Sequence, residues 1–387
     1  MTIPDAGKPG RDRRDADEAG GRRGSPGPRD AGTTASRDGR MPLPDAAALR
    51  ARVVVRRRDF TVDVALDATP GETIAVMGRS GAGKSTLLTA LAGLTPLDEG
   101  EIAVDARVLD RAPRLRTAPM HRGIVLLSQD ARLFPHLTAR ENVAFGPRSA
   151  GVPASIARAD ADDWLRRVGL PDTGERRPAQ LSGGEQQRVA VARALAAQPR
   201  VVLLDEPLVA LDAVTASEIR SMLRDRLAGV TTIAVTHDAV DAAALADRLL
   251  IVERGRVTQD GPVPEVLAAP ATEVAAKIAG VERLVGAAQR GDFVREGLRL
   301  TSTDAASLAL ASTEGRALAA VFRAADARLG EGATATVSHL EPTPTGVRVV
   351  MDSGVAEVPA AEAAALRPGD TVRWSVPPDR VRFVAAS

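Results

Sequence analysis

The segment from Thr73 to Ser85 constrains the fold more than any other part of the chain. The apolar run 73–77 is typical of a strand and leads into Gly78-Arg-Ser-Gly-Ala-Gly-Lys-Ser85, and residues 84–94 have a helical pattern. Three glycines let the loop backbone turn so that successive N–H groups point inward, and the helix adds its positive N-terminal end. This strand–loop–helix unit predicts a phosphate-binding site in an α/β protein.

The phosphate-binding loop assigns roles to individual residues. We expect Lys84 to reach the β- and γ-phosphates of a nucleotide and the Ser85 hydroxyl to coordinate Mg²⁺. Lys84 is one of three lysines in a chain whose lysines and arginines together number 51, and it stands where a compact ammonium has a chemical advantage over a guanidinium fork. The predicted nucleotide-binding residues are Gly78, Arg79, Ser80, Gly81, Ala82, Gly83, Lys84, Ser85 and Thr86.

An acidic pair provides the second element of the predicted site. Asp205 and Glu206 directly follow the all-apolar run 201–204, and ligands of parallel sheets bind at the carboxyl ends of such strands. We expect Asp205 to hold Mg²⁺ through water and Glu206 to act as a general base or to orient the attacking water. The alternative is that the pair only caps a helix.

Strands alternate with helices along the first two thirds of the chain, which implies a mostly parallel sheet. Residues 131–180 are mainly helical in pattern, and the clearest helix has Ser155 as its N-cap and runs to Val168. Further strands are predicted at 52–55, 60–66, 123–127 and 231–236, further helices at 188–197, 213–227 and 239–246, and a hairpin at 249–259.

Both ends of the chain differ from the middle in composition and in hydrophobic pattern. Residues 1–40 contain no Leu, Val or aromatic residue, so we expect a disordered tail over residues 1–45. Beyond Val281, short strands at 347–351, 355–358 and 371–376 are separated by Gly, Pro and Asp. Segments 320–329 and 372–383 resemble each other, which fits a small β-barrel with a duplicated plan.

Composition narrows the class of protein. The absence of Cys rules out disulfides and thiolate metal sites and favours a reducing compartment. No apolar run reaches the ~18 residues of a membrane span, and the opening residues lack the apolar segment of a signal peptide. A net charge of +1 argues against a broad nucleic-acid-binding surface. We therefore expect a cytoplasmic chain that needs partners for any membrane role.

Residues 181–188, Leu-Ser-Gly-Gly-Glu-Gln-Gln-Arg, lie between the glycine loop and the acidic pair. A hydroxyl and bare backbone before a helix suit phosphate binding at the helix N-terminus. Together the three motifs resemble the ATP-binding-cassette (ABC) family over residues 51–280. The resemblance implies a P-loop ATPase with a mixed sheet and a helical subdomain at about 131–180, with ATP and Mg²⁺ as ligands. It also implies a head-to-tail homodimer in which the partner's ATP is closed by Ser182, Gly183, Gly184 and Glu185.

The same resemblance assigns further site residues. Gln129 would be the Q-loop glutamine that binds Mg²⁺ or water, and His237 would be the switch histidine that hydrogen-bonds the γ-phosphate. Asp212 would belong to the D-loop, through which one site senses its twin. Phe60 is the only aromatic residue placed to stack on adenine, and the alternative is that it packs in the core.

Residues 129–146 resemble the importer subgroup, especially the ATP-binding subunits for molybdate and sulfate. In that subgroup this stretch receives a permease, and exposed side chains of Leu133, Phe134, Leu137 and Phe145 would form the socket; the alternative is that they pack the helical subdomain. Region 281–387 resembles the OB-like (TOBE/MOP-type) regulatory extension that follows an ATPase domain at 46–280.

The resemblance thus implies an ATPase subunit on the cytoplasmic face of the membrane that energises oxyanion uptake. Its partners would be a second copy, permease subunits docking near 133–145 and, indirectly, a periplasmic or lipoprotein solute-binding protein, with no nucleic acid. One alternative is an importer of iron, polyamine, sugar or thiosulfate. A soluble cassette ATPase acting on ribosomes or DNA is disfavoured by the single cassette and by the lack of Cys and of heptads.

Overall fold

The structure is a computed structural model that describes residues 48–58, 60–209 and 211–386. The predicted disordered tail, residues 1–45, lies outside the described residues. Within the described ranges every helix is too short or too polar to cross a lipid bilayer.

Eleven strands and eight helices form the part of the described chain up to residue 279. The strands are β1 (Leu49–Arg56), β2 (Thr61–Ala68), β3 (Thr73–Met77), β4 (Glu99–Val104), β5 (Arg107–Arg111), β6 (Leu115–Arg116), β7 (Ile124–Leu127), β8 (Val201–Asp205), β9 (Thr231–Val235), β10 (Arg248–Glu253) and β11 (Arg256–Pro262). The helices are α1 (Lys84–Leu91), α2 (Ala139–Ser149), α3 (Ala154–Arg167), α4 (Gly183–Ala196), α5 (Ala213–Leu227), α6 (Ala239–Leu245), α7 (Val263–Ala268) and α8 (Glu273–Ala279).

The central sheet has the strand order β11-β10-β3-β9-β8-β7. All of its neighbouring strands are parallel except β11, which pairs with β10 as the predicted hairpin. All five residues of β3 and of β9 are buried, as a strand covered on both faces requires. The predicted α/β fold with a mixed sheet is therefore confirmed.

A second, antiparallel sheet has the order β2-β1-β4-β5-β6. The sequence pattern predicts no strand between residues 94 and 123, whereas the structure has β4, β5 and β6 there. Apolar and polar residues alternate only weakly in these short strands, because charged residues occupy many of their positions. Ile102 and Val104 enter the core only because β4 pairs with β1, as in Leu49↔Val104. One hydrophobic cluster contains residues of both sheets and of α1.

Helices α2, α3 and α4 share a hydrophobic cluster, and two of their predicted starts were wrong. Helix α3 begins at Ala154 with Pro153 as its N-cap, not at Ser155. Helix α4 begins five residues before the predicted Arg188, because Ser182 and Glu185 form a capping box that starts the helix at Gly183.

The C-terminal part is built on two antiparallel sheets, ordered β14-β13-β12-β15-β20 and β18-β17-β16-β19, with two short helices between strands, which confirms the predicted OB-like β fold. Trp374 and Phe293 are fully buried in its core. The elements are β12 (Glu282–Gln289), β13 (Asp292–Arg295), β14 (Leu298–Leu300), α9 (Ala305–Ala311), β15 (Ala317–Phe322), β16 (Arg328–Pro342), β17 (Val347–Met351), β18 (Val355–Val358), α10 (Ala360–Ala363), β19 (Thr371–Ser375) and β20 (Arg382–Ala385).

The two similar C-terminal segments have the same local structure. In each, a strand leads through a 3-10 turn into another strand: β15, residues 324–326 and β16 in one, and β19, residues 378–380 and β20 in the other. Each turn contains the aspartate of the repeat, Asp326 or Asp379.

The domain boundary at 280/281 remains a prediction. Gly280 ends α8 with a backbone in the left-handed region, and β12 follows.

Candidate functional site

Three groups of predicted site residues follow strands that end at the carboxyl edge of the central sheet. Strand register places Val76 beside Val235, and Val235 beside Asp205. The segments that follow β3, β8 and β9 therefore leave the sheet at the same edge. These segments are the phosphate loop, the acidic pair and His237, so the topology brings together residues far apart in sequence.

The phosphate loop needs its glycines for two reasons. A Cβ atom on residue 78 would lie 2.1 Å from the Val252 carbonyl oxygen, and one on residue 83 would lie 2.7 Å from Val62 Cγ2. Gly83 also has a φ of 105° and, as N-cap of α1, offers no side-chain acceptor. The N–H groups of the first turn of α1 thus remain available to a ligand. A nucleotide phosphate fits this cradle.

Lys84 lies across the loop. Its Nζ donates to the carbonyl oxygens of Gly78 at 2.7 Å and of Arg79 at 3.1 Å, and the residue is buried. Burial lowers the pKa of Lys84, opposed by the charges of Glu206 and Asp205. The ammonium is therefore held among the groups that the sequence assigned to phosphate and metal binding.

Asp205 ends β8 and is half-buried. Burial raises the pKa of its carboxyl, and the neighbouring Glu206 raises it further, while Lys84 and Arg132 act in the opposite direction. Such a carboxylate gains from a nearby cation. The Asp205 carboxylate, the exposed Ser85 hydroxyl and the amide oxygen of Gln129 are oxygen donors of the kind that Mg²⁺ prefers.

Glu206 has an unusual backbone conformation. Its φ is +49°, in the left-handed region that residues other than glycine seldom adopt. Its N–H donates to the Val235 carbonyl at 3.0 Å, a bond that ties it to the neighbouring strand. Glu206 Oε2 lies 3.7 Å from Nδ1 of His237, whose side chain is exposed. Strained conformations of this kind cluster at functional sites.

Gln129 is exposed and lies two residues beyond β7, the neighbour of β8.

Two arginines close to this loop, Arg132 and Arg193, are not predicted from the sequence. Arg132 is near enough to lower the pKa of Asp205, and Arg193 of α4 donates to the carbonyl oxygens of Ala131 and Arg132 at 3.1 and 2.9 Å. No local signal could reveal Arg193, because more than 60 residues separate it from its partners.

The signature residues shape the start of α4. Ser182 Oγ accepts from the Glu185 N–H at 3.2 Å, and the Glu185 carboxylate accepts from the Ser182 N–H at 2.8 Å. Gly183 faces open space, whereas a Cβ atom on Gly184 would lie 2.7 Å from Thr215 Cγ2. Ser182 and Gly183 are exposed, so this helix start is accessible to another molecule.

Asp212 caps α5. Its carboxylate accepts from the N–H groups of Val214 and Thr215, both at 3.1 Å. A hydrogen bond from the Thr215 side chain contributes most to lowering the pKa of Asp212, and the two backbone hydrogen bonds lower it further. The residue is exposed. The structure therefore shows a capping role within the chain, and the D-loop role remains a prediction.

Phe60 lies beside the phosphate loop and packs against the core. A Cβ atom on Gly83 would be 3.5 Å from Phe60 Cε2, and Phe60 itself is partly buried against the cluster that contains Val62. Both predicted roles, adenine stacking and core packing, are compatible with this position.

The predicted permease socket is only partly exposed. Phe145 is 45% exposed, but Leu133, Phe134 and Leu137 are partly buried, which corrects the predicted exposure of these three. The Phe134 and Phe145 rings are 4.6 Å apart. Buried Asn142 holds the loop, because its Oδ1 accepts from the Phe134 N–H at 2.8 Å and its Nδ2 donates to carbonyl oxygens of the same loop.

Several proteins similar to this chain are import ATP-binding proteins. The molybdenum import ATP-binding protein of Mycobacterium tuberculosis is 46% identical over 62% of this chain and 65% of its own length. An Fe(3+) ions import ATP-binding protein of Streptomyces avermitilis is 46% identical over 59% of this chain and 66% of its own. The chain thus spans just under two thirds of these two relatives.

A longer match is the sulfate/thiosulfate import ATP-binding protein of Nocardia farcinica, 39% identical over 80% of this chain and 91% of its own length. Among solved structures, a part of an ABC transporter complex from Clostridium perfringens matches with a TM-score of 0.52 and 28% identity, over 58% of this chain and 91% of its own. The sequence profile of the ABC transporter family matches residues 61–209. The chain therefore belongs to the ABC transporter family.

Proposed function

We propose that this chain binds ATP with Mg²⁺ and hydrolyses it to drive an importer. The observation that carries the proposal is the convergence of Lys84, Asp205, Glu206 and His237 at one edge of the central sheet, next to a loop whose glycines leave room for phosphate. Neither burial nor helix capping requires these four residues to meet there.

Each residue has a chemical task in this proposal. The loop N–H groups and Lys84 bind the β- and γ-phosphates, whose charged oxygens are stronger acceptors than the carbonyls that Lys84 now contacts. Ser85, Asp205 and Gln129 would hold Mg²⁺, which neutralises developing charge. Glu206 orients a water for in-line attack, and His237, 3.7 Å away, hydrogen-bonds the γ-phosphate.

We propose that two copies form a head-to-tail dimer in which Ser182, Gly183, Gly184 and Glu185 of one copy complete the site of the other. Support comes from the exposed start of α4. Three exposed apolar side chains also lie close in sequence to the acidic pair, the start of α5 and His237, as is typical of a contact surface: Val209, Val214 and Val240.

We further propose that the dimer lies on the cytoplasmic face of a membrane and contacts a permease near Leu133–Phe145. The relatives named above are import ATP-binding proteins, and Phe145 offers an exposed aromatic anchor. A molybdate or sulfate-type oxyanion is the proposed solute, with the solute-binding protein as an indirect partner. The Fe(3+) relative keeps a metal cation as the alternative solute.

ATP hydrolysis by the purified chain tests the ATPase proposal. Glu206→Gln keeps the shape of the side chain but removes the base, so we expect kcat to fall by about 10²-fold or more. Glu362→Gln, at an exposed position of α10, is the matched control and should leave kcat unchanged. Equal activity of the Glu206→Gln and wild-type proteins would contradict the assigned role of Glu206.

Calorimetry of the full chain with molybdate, tungstate and sulfate tests the solute proposal. Selective binding of molybdate or tungstate would support a molybdate importer whose C-terminal region senses its solute. If no oxyanion binds, the C-terminal region 281–387 does not sense the solute, and uptake measurements with the permease must identify the solute.

A further inference from the structure

A polar network links α5 to the segment that carries His237. Asp241 of α6 divides its two carboxylate oxygens between two partners: Oδ1 accepts from Nε and Nη2 of Arg220 at 2.8 and 2.6 Å, and Oδ2 accepts from Thr236 Oγ1 at 3.3 Å. Thr236 and Asp241 are buried, and Arg220 lies mostly covered on α5.

Thr236 extends this network across His237. Its hydroxyl also accepts from the Asp238 N–H at 3.1 Å, so one hydrogen bond spans the histidine from the residue before it to the residue after it. The Thr236 N–H donates to the Val76 carbonyl at 3.3 Å, in the strand that enters the phosphate loop. The backbone of His237 is thereby fixed on both sides, while its ring stays exposed.

The network also adjoins the acidic-pair segment. Thr236 and Asp241 line one small apolar cavity together with Pro207 and Leu208, the two residues that directly follow Glu206. At the other end, α5 carries Arg220 two turns after its N-cap, Asp212. Two hydrogen-bonded contacts, from Arg220 to Asp241 and from Asp241 to Thr236, thus connect α5 to the residue that precedes His237.

We infer that Arg220, Asp241 and Thr236 are positioning residues that set the orientation of His237 according to the position of α5. This inference rests on the proposed ATPase function, because it deepens the role of His237 in that site. If the start of α5 lies at the dimer contact, as proposed, closure of the dimer and placement of His237 are mechanically linked.

A matched pair of substitutions tests the inference. Arg220→Met removes the contact with Asp241, whereas Arg224→Met changes the same residue type one turn later, where Arg224 Nε also tethers α6 by donating to the Ala244 carbonyl at 2.7 Å. Both contacts join α5 to α6, but only Arg220 leads to Thr236. A general loosening of the two helices would affect both variants alike.

The first readout is the NMR signal of the His237 ring in protein labelled at its four histidines, assigned with His237→Asn. We expect Arg220→Met to shift or broaden this signal and to leave the other three unchanged, which also shows that the fold is intact. Arg224→Met should leave all four unchanged. A His237 signal identical in wild type, Arg220→Met and Arg224→Met would overturn the inference.

The second readout is ATP hydrolysis. Misplacement of His237 should lower kcat by about 10- to 100-fold, with KM changed less than about 2-fold because the phosphate loop is untouched. Thr236→Val replaces the hydroxyl by a methyl group and keeps the Arg220–Asp241 pair. It should therefore also lower kcat with little change in KM, even if Arg220→Met is unstable.

The double variant Arg220→Met with Thr236→Val completes the test. Because both changes break one path, the double variant should be no slower than the slower single variant; additive losses would refute the shared path. If wild type does not hydrolyse ATP, the proposed function fails, and the His237 signal alone decides the positioning role.

Discussion

Replacement of Arg122 should destabilise the protein strongly, because this arginine forms a buried ion pair under α1. The Arg122 and Asp110 side chains are 0% and 3% exposed, with Nη2 2.6 Å from Oδ1. Arg122 also donates to the Leu91 carbonyl at the end of α1 at 3.3 Å and to the Thr117 carbonyl at 2.9 Å. Among the described residues, Asp110 Oδ2 has no hydrogen-bond partner.

The expected magnitude follows from this environment. Arg122→Met leaves the buried Asp110 carboxylate without its counter-charge, which costs about 3–5 kcal/mol. The substitution also exposes the last carbonyls of α1 to an apolar side chain. The matched control is Arg111→Met: Arg111 pairs with Glu101 on the same sheet, but both side chains are partly exposed to solvent, at 48% and 30%. Such a pair contributes about 1 kcal/mol or less.

Differential scanning calorimetry of the two variants measures the difference. At about 2–4 °C per kcal/mol, Arg122→Met should lower Tm by roughly 6–20 °C, and Arg111→Met by no more than about 4 °C. Equal shifts in the two variants would refute the argument from burial. A double replacement of Asp110 and Arg122 by apolar residues of similar size should recover most of the loss, since no unpaired charge remains.

Three further predictions concern the site and its surroundings. The raised pKa of Asp205 means that the folded state binds the proton of this carboxyl more tightly than the unfolded state does. The free energy of unfolding therefore falls as the pH rises from the ordinary aspartate pKa through the raised pKa. Asp205→Asn should remove this part of the dependence of Tm on pH. Gly354→Ala should destabilise the C-terminal sheets by about 1–3 kcal/mol in a urea titration, because its Cβ would lie 2.4 Å from Trp374 Cη2. Phe145→Asp should abolish co-purification with the permease and leave ATP hydrolysis intact, whereas Ile156→Asp, on an equally exposed position of α3, should not affect co-purification.

Much of the fold was predictable because its signals are local. Strands β3, β17 and β18 and helix α5 have the predicted bounds, since an apolar run or an N-cap such as Asp212 defines them within a few residues. The predicted start of α4 is wrong because the helix begins with two glycines, which have poor helix propensity. There the capping box of Ser182 and Glu185 outweighs their poor helix propensity.

The sequence by itself determined the phosphate loop and the acidic pair, because both depend on residue types that the local backbone demands. Glycine is required where a side chain would meet Val252 or Val62, and acidic residues after an apolar strand stand at the sheet edge. Tertiary structure alone decided which charges meet. Arg220 and Asp241 are 21 residues apart, and Arg193 lies 61 residues from Arg132. In an arginine-rich chain no spacing distinguishes these arginines from their neighbours, because burial and partner choice arise only when distant helices and strands pack together.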